Sequence, residues 1–230
     1  MTLIRGILRW LFLLILLTLG LTLLVLLLFR FLNPPTTAFI VGYQLESRSM
    51  TGVHQSWVPL NDISPWMPLA VIASEDQRFL MHWGIDTNAI ATAVNDFRKG
   101  DGLRGASTIT QQTAKNLFLW SGRSYFRKGV EAALALAMDG LWPKRRIMEV
   151  YLNVAEFGPG LYGVEAASQV HFGVSADQLT ASQSARLAAV LPSPRVFDAG
   201  NPSPYVRERV AWIRRQMDQL GGIALVGVFY

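Results

Sequence analysis

Trp66-Met67-Pro68-Leu69-Ala70-Val71-Ile72-Ala73-Ser74-Glu75-Asp76-Gln77-Arg78-Phe79-Leu80-Met81-His82 is the stretch on which the fold turns. Leu69, Ile72, Ala73 and Leu80 fall on one apolar stripe at helical spacing. A helix continued to the end of this run would set Glu75, Arg78, Phe79 and His82 on one face, at offsets of three, four and seven. Glu75 directly follows the apolar Ala70 to Ala73, so burial would raise its pKa toward that of a useful general base. The same position also suits a solvated helix-end carboxylate, or one paired with Arg78. Asp76 and Asp86 read as local caps and hydrogen-bond anchors. His82 lacks a partner at metal-ligand spacing and reads as structural, and His54 and His171 carry no signal.

Toward the C-terminus the helical reading continues. Asn88 to Phe97 is a helix ended by Lys99-Gly100-Asp101-Gly102. Thr108 with Gln111 matches a capping box, so a helix begins there and runs to about Leu119. Arg127 to Leu141 is rich in Ala and Leu, and Pro143 opens a further helix through Ile147 to Leu152. Gly163 to Phe172 and Ala181 to Leu191 follow. A last helix carries Val206, Val210, Ile213, Met217 and Leu220 on its apolar face and stops at Gly221-Gly222. Strand alternation never persists beyond a few residues, so the fold class is mainly α.

Toward the N-terminus, no charge lies between Arg9 and Arg30, and Leu dominates Leu11 to Leu28. Roughly 20 apolar residues span a bilayer as a helix, whereas a cleaved signal has a shorter core and a small-residue cleavage site. Phe29 to Pro35 offers no such site, so residues 1–32 read as a cytoplasmic tip and retained transmembrane anchor. Arg5 and Arg9 before the span, against Arg30 after it, favour an N-terminus in the cytoplasm. Residues 33–64, with Pro, Gly, Thr and Ser, read as a connecting segment packed onto a main domain of residues 65–230 outside the cytoplasm. The net charge of +5 is modest and interleaved with acidic residues. It suits anionic lipid headgroups or a phosphorylated lipid better than a nucleic acid, which is not expected as a partner. With no cysteine, a disulfide framework and cysteine metal sites are excluded.

The polar run Gly105 to Gln112 lies at a helix start, where free backbone N–H groups can receive an anion or a sugar hydroxyl, or can simply be capped. Lys115, Arg123, Arg127 and Lys128 supply the fixed positive charge that departure of a phosphate-type leaving group needs, or form a solvated basic face. Glu131 lies three and four residues beyond Lys128 and Arg127, where an intrahelical ion pair is the plain explanation. Lys144, Arg145 and Arg146 crowd a helix start, where the dipole disfavours cations unless an anion such as Glu149 answers them. Asn116 to Trp120 and Tyr125-Phe126 are apolar and suit the core or the membrane interface.

Four ordered motifs now stand together: Glu-Asp-x-x-Phe-x-x-His-x-Gly (Glu75 to Gly84), Gly-x-Ser-Thr-x-Thr-Gln-Gln (Gly105 to Gln112), Arg-Lys-x-x-Glu (Arg127 to Glu131) and Lys-x-x-Ile-x-Glu-x-Tyr-x-Asn (Lys144 to Asn153). Their order resembles the peptidoglycan glycosyltransferase family, over roughly Trp66 to Pro202. The monofunctional biosynthetic peptidoglycan transglycosylases are the most similar branch, through Gln111 to Trp120 and Asn153 to Gly158. The resemblance implies a lysozyme-like helical domain that polymerises lipid II into glycan strands and releases undecaprenyl pyrophosphate. It implies Glu75 as the base on the acceptor 4-hydroxyl and Glu131 as the second catalytic carboxylate, with inversion at the donor carbon. Asp76, Ser107, Gln111, Gln112, Lys115, Arg123, Arg127 and Lys128 would bind substrate, the four cations around the pyrophosphate. No cofactor is certain on this reading, which leaves open a divalent cation, Mg or Mn, beside Glu131. The implied partners are lipid II, the growing glycan chain and inner-membrane lipids, with cell-division or wall-synthesis proteins left open. The expected location is the inner membrane, single-pass, with the catalytic domain periplasmic. Trp142-Pro143 departs from the Tyr and hydroxyl residue of many relatives. No Ser-x-x-Lys transpeptidase motif occurs, so glycan polymerisation without peptide cross-linking is expected. A lytic wall enzyme and a noncatalytic scaffold are the competing readings; the first does not call for the Lys115 to Lys128 cations, and the second would tolerate loss of both Glu75 and Glu131.

Overall fold

The computed structural model of the chain describes residues 2–47, 52–99, 107–122 and 124–230. They form two units, Met1–Pro35 and Thr36–Tyr230. The first is one helix, α1 (Thr2–Phe31). Its Ile4–Phe31 portion, with mean hydropathy 3.1, is long and apolar enough to cross a membrane. The hydroxyls of Thr18 and Thr22 donate to the carbonyls of Leu14 and Thr18, each at 2.8 Å, so neither is left unpaired along the helix.

The second unit is mainly α. In chain order it contains α2 (Ala38–Ser47), β1 (His54–Gln55), α3 (Trp66–Glu75), α4 (Thr87–Lys99), α5 (Ile109–Phe118), α6 (Tyr125–Leu141) and α7 (Lys144–Val154). There follow β2 (Glu156–Gly158), β3 (Leu161–Tyr162), α8 (Val164–Phe172), α9 (Ala181–Val190) and α10 (Pro204–Gln219). The strands make a small sheet in the order β1-β3-β2, parallel and then antiparallel. A 3-10 turn at Gly222–Phe229, unforeseen in the sequence, follows Gly221 in the left-handed region (φ 92°). Much of the expected connecting segment belongs to this compact unit. Asn153, fully buried, both donates to and accepts from the backbone of Val58 at 2.9 Å, and Glu149 accepts from Leu60 N–H at 3.0 Å.

α3 forms the core, with Met67 through Ala73 all buried, and packs on α9 and α10. α5 packs between α6 and α7. The two groups meet where α3 ends, and that ending corrects the sequence expectation. α3 stops at Glu75, so Glu75, Arg78, Phe79 and His82 do not share a helical face. Asp76 leaves the helix (φ −161°, ψ 76°) because its carboxylate has better partners than another turn would offer. It accepts from Ile109 N–H, the first residue of α5, at 3.0 Å and from His82 Nε2 at 2.9 Å. A carboxylate at a helix N-terminus meets unpaired N–H groups and the positive end of the dipole. Gly84 completes the turn at φ 68°, and a Cβ there would lie 2.6 Å from the Ala135 carbonyl oxygen of α6. That close approach requires glycine.

α5 starts as expected. Thr108 accepts from Gln111 N–H at 3.1 Å while the Gln111 side chain accepts from Thr108 N–H at 3.0 Å, a complete capping box. The cations opening α7 are each answered: Lys144 by Asp139 at 2.6 Å, Arg145 by Glu149 at 3.7 Å, and Arg146 by Glu149.

Candidate active site

Glu75 is the last residue of α3, and its side chain is 12% exposed. Gln112, one turn into α5, donates from Nε2 to Glu75 Oε2 at 2.9 Å. Arg209 of α10 approaches the other oxygen, Oε1, at 3.5 Å. Burial raises the Glu75 pKa above the usual carboxylate value, against the opposing pull of the Gln112 hydrogen bond and of the Arg209 and Lys115 charges. Arg78 is not its partner; that guanidinium lies 3.7 Å from Asp86 instead. Glu75 opens onto a cavity of about 730 Å³ that Ser107, Gln112, Arg209 and Trp212 also line.

A second cavity of about 350 Å³ is lined by Gln112, Lys115, Tyr151, Glu156 and Arg195. Gln112 is the residue common to both. Burial lowers the Lys115 pKa, helped by the nearby Arg127 and Lys128 charges and opposed by those of Glu131 and Glu75. Its ammonium also lies over the Phe39 ring of α2, 5.3 Å from the centroid. At the far end, Arg195 bridges Glu156 of β2 at 3.0 Å and Glu46 of α2 at 3.1 Å, and stacks over Tyr43.

Glu131 lies on α6 and is 2% exposed. Arg127 donates to its Oε2 at 2.7 Å and Lys128 to its Oε1. Arg127 is itself fixed, donating from Nε to the Gly122 carbonyl at 2.6 Å. Lys128 also donates to Ser107 Oγ at 2.7 Å. Ser107 thereby ties the Glu131 cluster to the cavity that holds Glu75. With both oxygens held by cations, Glu131 does not fit the ligand of a divalent ion. Among the described residues, no group of three or more His, Asp or Glu converges as a metal site.

The structure therefore brings Glu75, Ser107, Gln112, Lys115, Arg127, Lys128 and Glu131 into one connected region. Two residues of the expected substrate set are engaged in the fold: Asp76, buried at the α3–α5 junction, also lines a small cavity with Glu75 and Ser107, and Gln111 is held in the capping box. Arg123 lies outside the described residues, as do Arg104 to Ala106. Sequence reasoning missed Arg209, Arg195 and the role of Tyr151, whose hydroxyl donates to Gln112 Oε1 at 3.2 Å. α10 was legible only as an apolar face, and the motif resemblance stopped at Pro202, short of Arg209.

A family model described as transglycosylase matches residues 43–218, well over half of the chain. The chain belongs to the transglycosylase family. This transglycosylase is 58% identical over 197 residues to the biosynthetic peptidoglycan transglycosylase of Marinomonas sp. (strain MWYL1), covering 86% of this chain and 85% of that one. It is 55% identical over 192 residues to the protein so named in Shewanella frigidimarina (strain NCIMB 400), covering 84% and 82%. It is 52% identical over 202 residues to that of Pseudomonas fluorescens (strain SBW25), covering 86% and 84%. The matched span of the transglycosylase includes α3, α5, α6 and α10 as far as Asp218, the helices that, among the described residues, carry the side chains bonded to Glu75 and Glu131.

Proposed function

We propose that the chain polymerises the glycan strands of peptidoglycan from lipid II by inverting glycosyl transfer, without cross-linking peptides. Glu75 takes the proton of the acceptor 4-hydroxyl. The freed oxygen bonds to the anomeric carbon of the donor sugar as the bond from that carbon to the pyrophosphate oxygen breaks. The bonding pair leaves with undecaprenyl pyrophosphate. The observation that carries this reading is Gln112, which walls both cavities. Glu75 lines one of these cavities and Lys115 the other, which supports a base and a leaving-group cation held apart across Gln112.

Lys115, Arg123, Arg127 and Lys128 hold the diphosphate. A pyrophosphate is already a good leaving group, so oriented cations suffice where a poorer one would need a strong acid. Glu131 is the second catalytic carboxylate: it organises Arg127 and Lys128 and takes part at the leaving-group side. Ser107 and Gln112 face substrate, whereas Asp76 and Gln111 shape the site from behind. No step passes through a metal. α1 anchors the chain in the inner membrane with its N-terminus cytoplasmic and the catalytic unit periplasmic, where lipid II and the growing strand meet it.

The test is incubation of the full chain with labelled lipid II in detergent, followed by gel separation of glycan strands. Wild type should give polymer and Glu75→Gln should lose activity by orders of magnitude, since the base is gone. Absence of polymer from wild type, or full activity in Glu75→Gln, overturns the reading.

A further inference from the structure

We propose that Tyr151 is a positioning residue for glycosyl transfer: its hydroxyl anchors the Gln112 amide so that the amide NH₂ stays on Glu75. The proposal rests on the reading of Glu75 as the base. Three side chains from three helices form an unbroken chain. The Tyr151 hydroxyl of α7 donates to Gln112 Oε1 at 3.2 Å, and Gln112 Nε2 of α5 donates to Glu75 Oε2 at 2.9 Å at the end of α3. A primary amide has one accepting and one donating end. An ionised Glu75 accepts only, so it selects the NH₂, and the carbonyl end is left to Tyr151.

Tyr151 is only 1% exposed, so packing holds its ring and fixes the hydroxyl at the edge of the second cavity. Burial, with Glu75 and Asp76 nearby, raises its phenol well above the ordinary value, which keeps the proton on the oxygen throughout any working range. Without the hydroxyl, Gln112 Oε1 loses that donor in a half-buried place, and such groups seek new partners. The amide has somewhere to turn. Gln112 lines the second cavity as well as that of Glu75, so rotation toward the former would strip Glu75 of its neutral donor.

Loss of a donor to the ionised form raises a carboxyl pKa. A base must be ionised to act, so the acid limb of the rate profile would then move to higher pH. The other groups facing Glu75 are Arg209 of α10, Lys115 of α5 and the adjacent Asp76, and Arg78, Asp86 and Asp96 line its cavity. None depends on the Tyr151 hydroxyl for its placement through any bond of this chain.

The experiment is steady-state polymerisation of lipid II by the full chain in detergent, across pH, for wild type, Glu75→Gln, Tyr151→Phe, Gln112→Ala and the double variant. Tyr151→Phe should lower kcat about five- to tenfold, leave KM within about twofold, and move the acid limb upward. In the Gln112→Ala background the same change should cost less than about twofold, because the hydroxyl acts only through the amide. Equal loss in both backgrounds, or an unmoved limb, overturns the proposal. Tyr151→3-fluorotyrosine keeps ring and hydroxyl but donates more strongly, so it covers the case in which the Phe variant fails to fold. It should move the limb downward, and an unmoved limb again overturns the proposal. Activity in Glu75→Gln would instead remove the base itself, which separates the two failures.

Discussion

Asp76→Ala offers the sharpest test of how the site is assembled. The Asp76 side chain is 3% exposed, so solvent screening is slight, and its carboxylate joins the end of α3 to Ile109 N–H at the start of α5 and to His82. A hydrogen bond to a charged group is worth about 1.5–3 kcal/mol, and two are lost here. The favourable placement of a negative charge at a helix N-terminus, about 0.3–1 kcal/mol, goes with them. Taking the lower end of each, since water will enter the space, the loss is about 3–4 kcal/mol. For a domain of this size 1 kcal/mol shifts Tm by roughly 2–4 °C, so the midpoint should fall by roughly 6–15 °C. Thermal scans of the detergent-solubilised chain, with polymerisation measured well below the midpoint, read both consequences. Activity should also fall, through kcat, because Glu75 and Gln112 are placed by the two helix ends that Asp76 joins. A Tm within about 2 °C of wild type together with a raised KM would refute this, and would mean that Asp76 meets substrate instead.

Other perturbations follow from the same geometry. Glu75→Gln should raise Tm at alkaline pH while abolishing polymerisation: the Glu75 pKa is raised by burial, so the ionised form is destabilising above that pKa and the gain should fade as pH falls through it. Arg127→Lys should cost tenfold or more in kcat/KM in the lipid II assay, roughly, because one ammonium cannot hold both Glu131 and the Gly122 carbonyl as the guanidinium does. Thr108→Val should destabilise by about 1–2 kcal/mol in denaturant titrations, by removing the side-chain cap of α5.

What the sequence disclosed and what it hid divide by range. The capping box at Thr108 and Gln111, the α10 apolar face ending at Gly221, and the i to i+4 pair of Arg127 and Glu131 are written in neighbouring residues, and each was legible. The end of α3 was not, because the partner that draws Asp76 out of the helix lies 33 positions on. Periodicity alone favours continuing the helix there. Arg209 meets Glu75 across 134 positions and Arg195 meets Glu46 across 149, separations at which no spacing rule operates. Motif order singled out Glu75, Gln112, Lys115, Arg127, Lys128 and Glu131, which the fold brings into one connected region. It could not show that Asp76 joins two helix ends or that Gln111 closes a capping box, since a motif records which residues recur and not which way they point.

The Arg195 bridge gives the two ends of the site different sensitivities to ionic strength. Arg195 and Glu46 are 43% and 59% exposed, so added salt screens their attraction and loosens the hold of α2 on the second cavity. Around Glu75 the closest contact is a neutral amide, whose hydrogen bond carries no charge pair for dissolved ions to screen. Raising salt should therefore act on the second cavity more than on the hydrogen bond between Gln112 and Glu75.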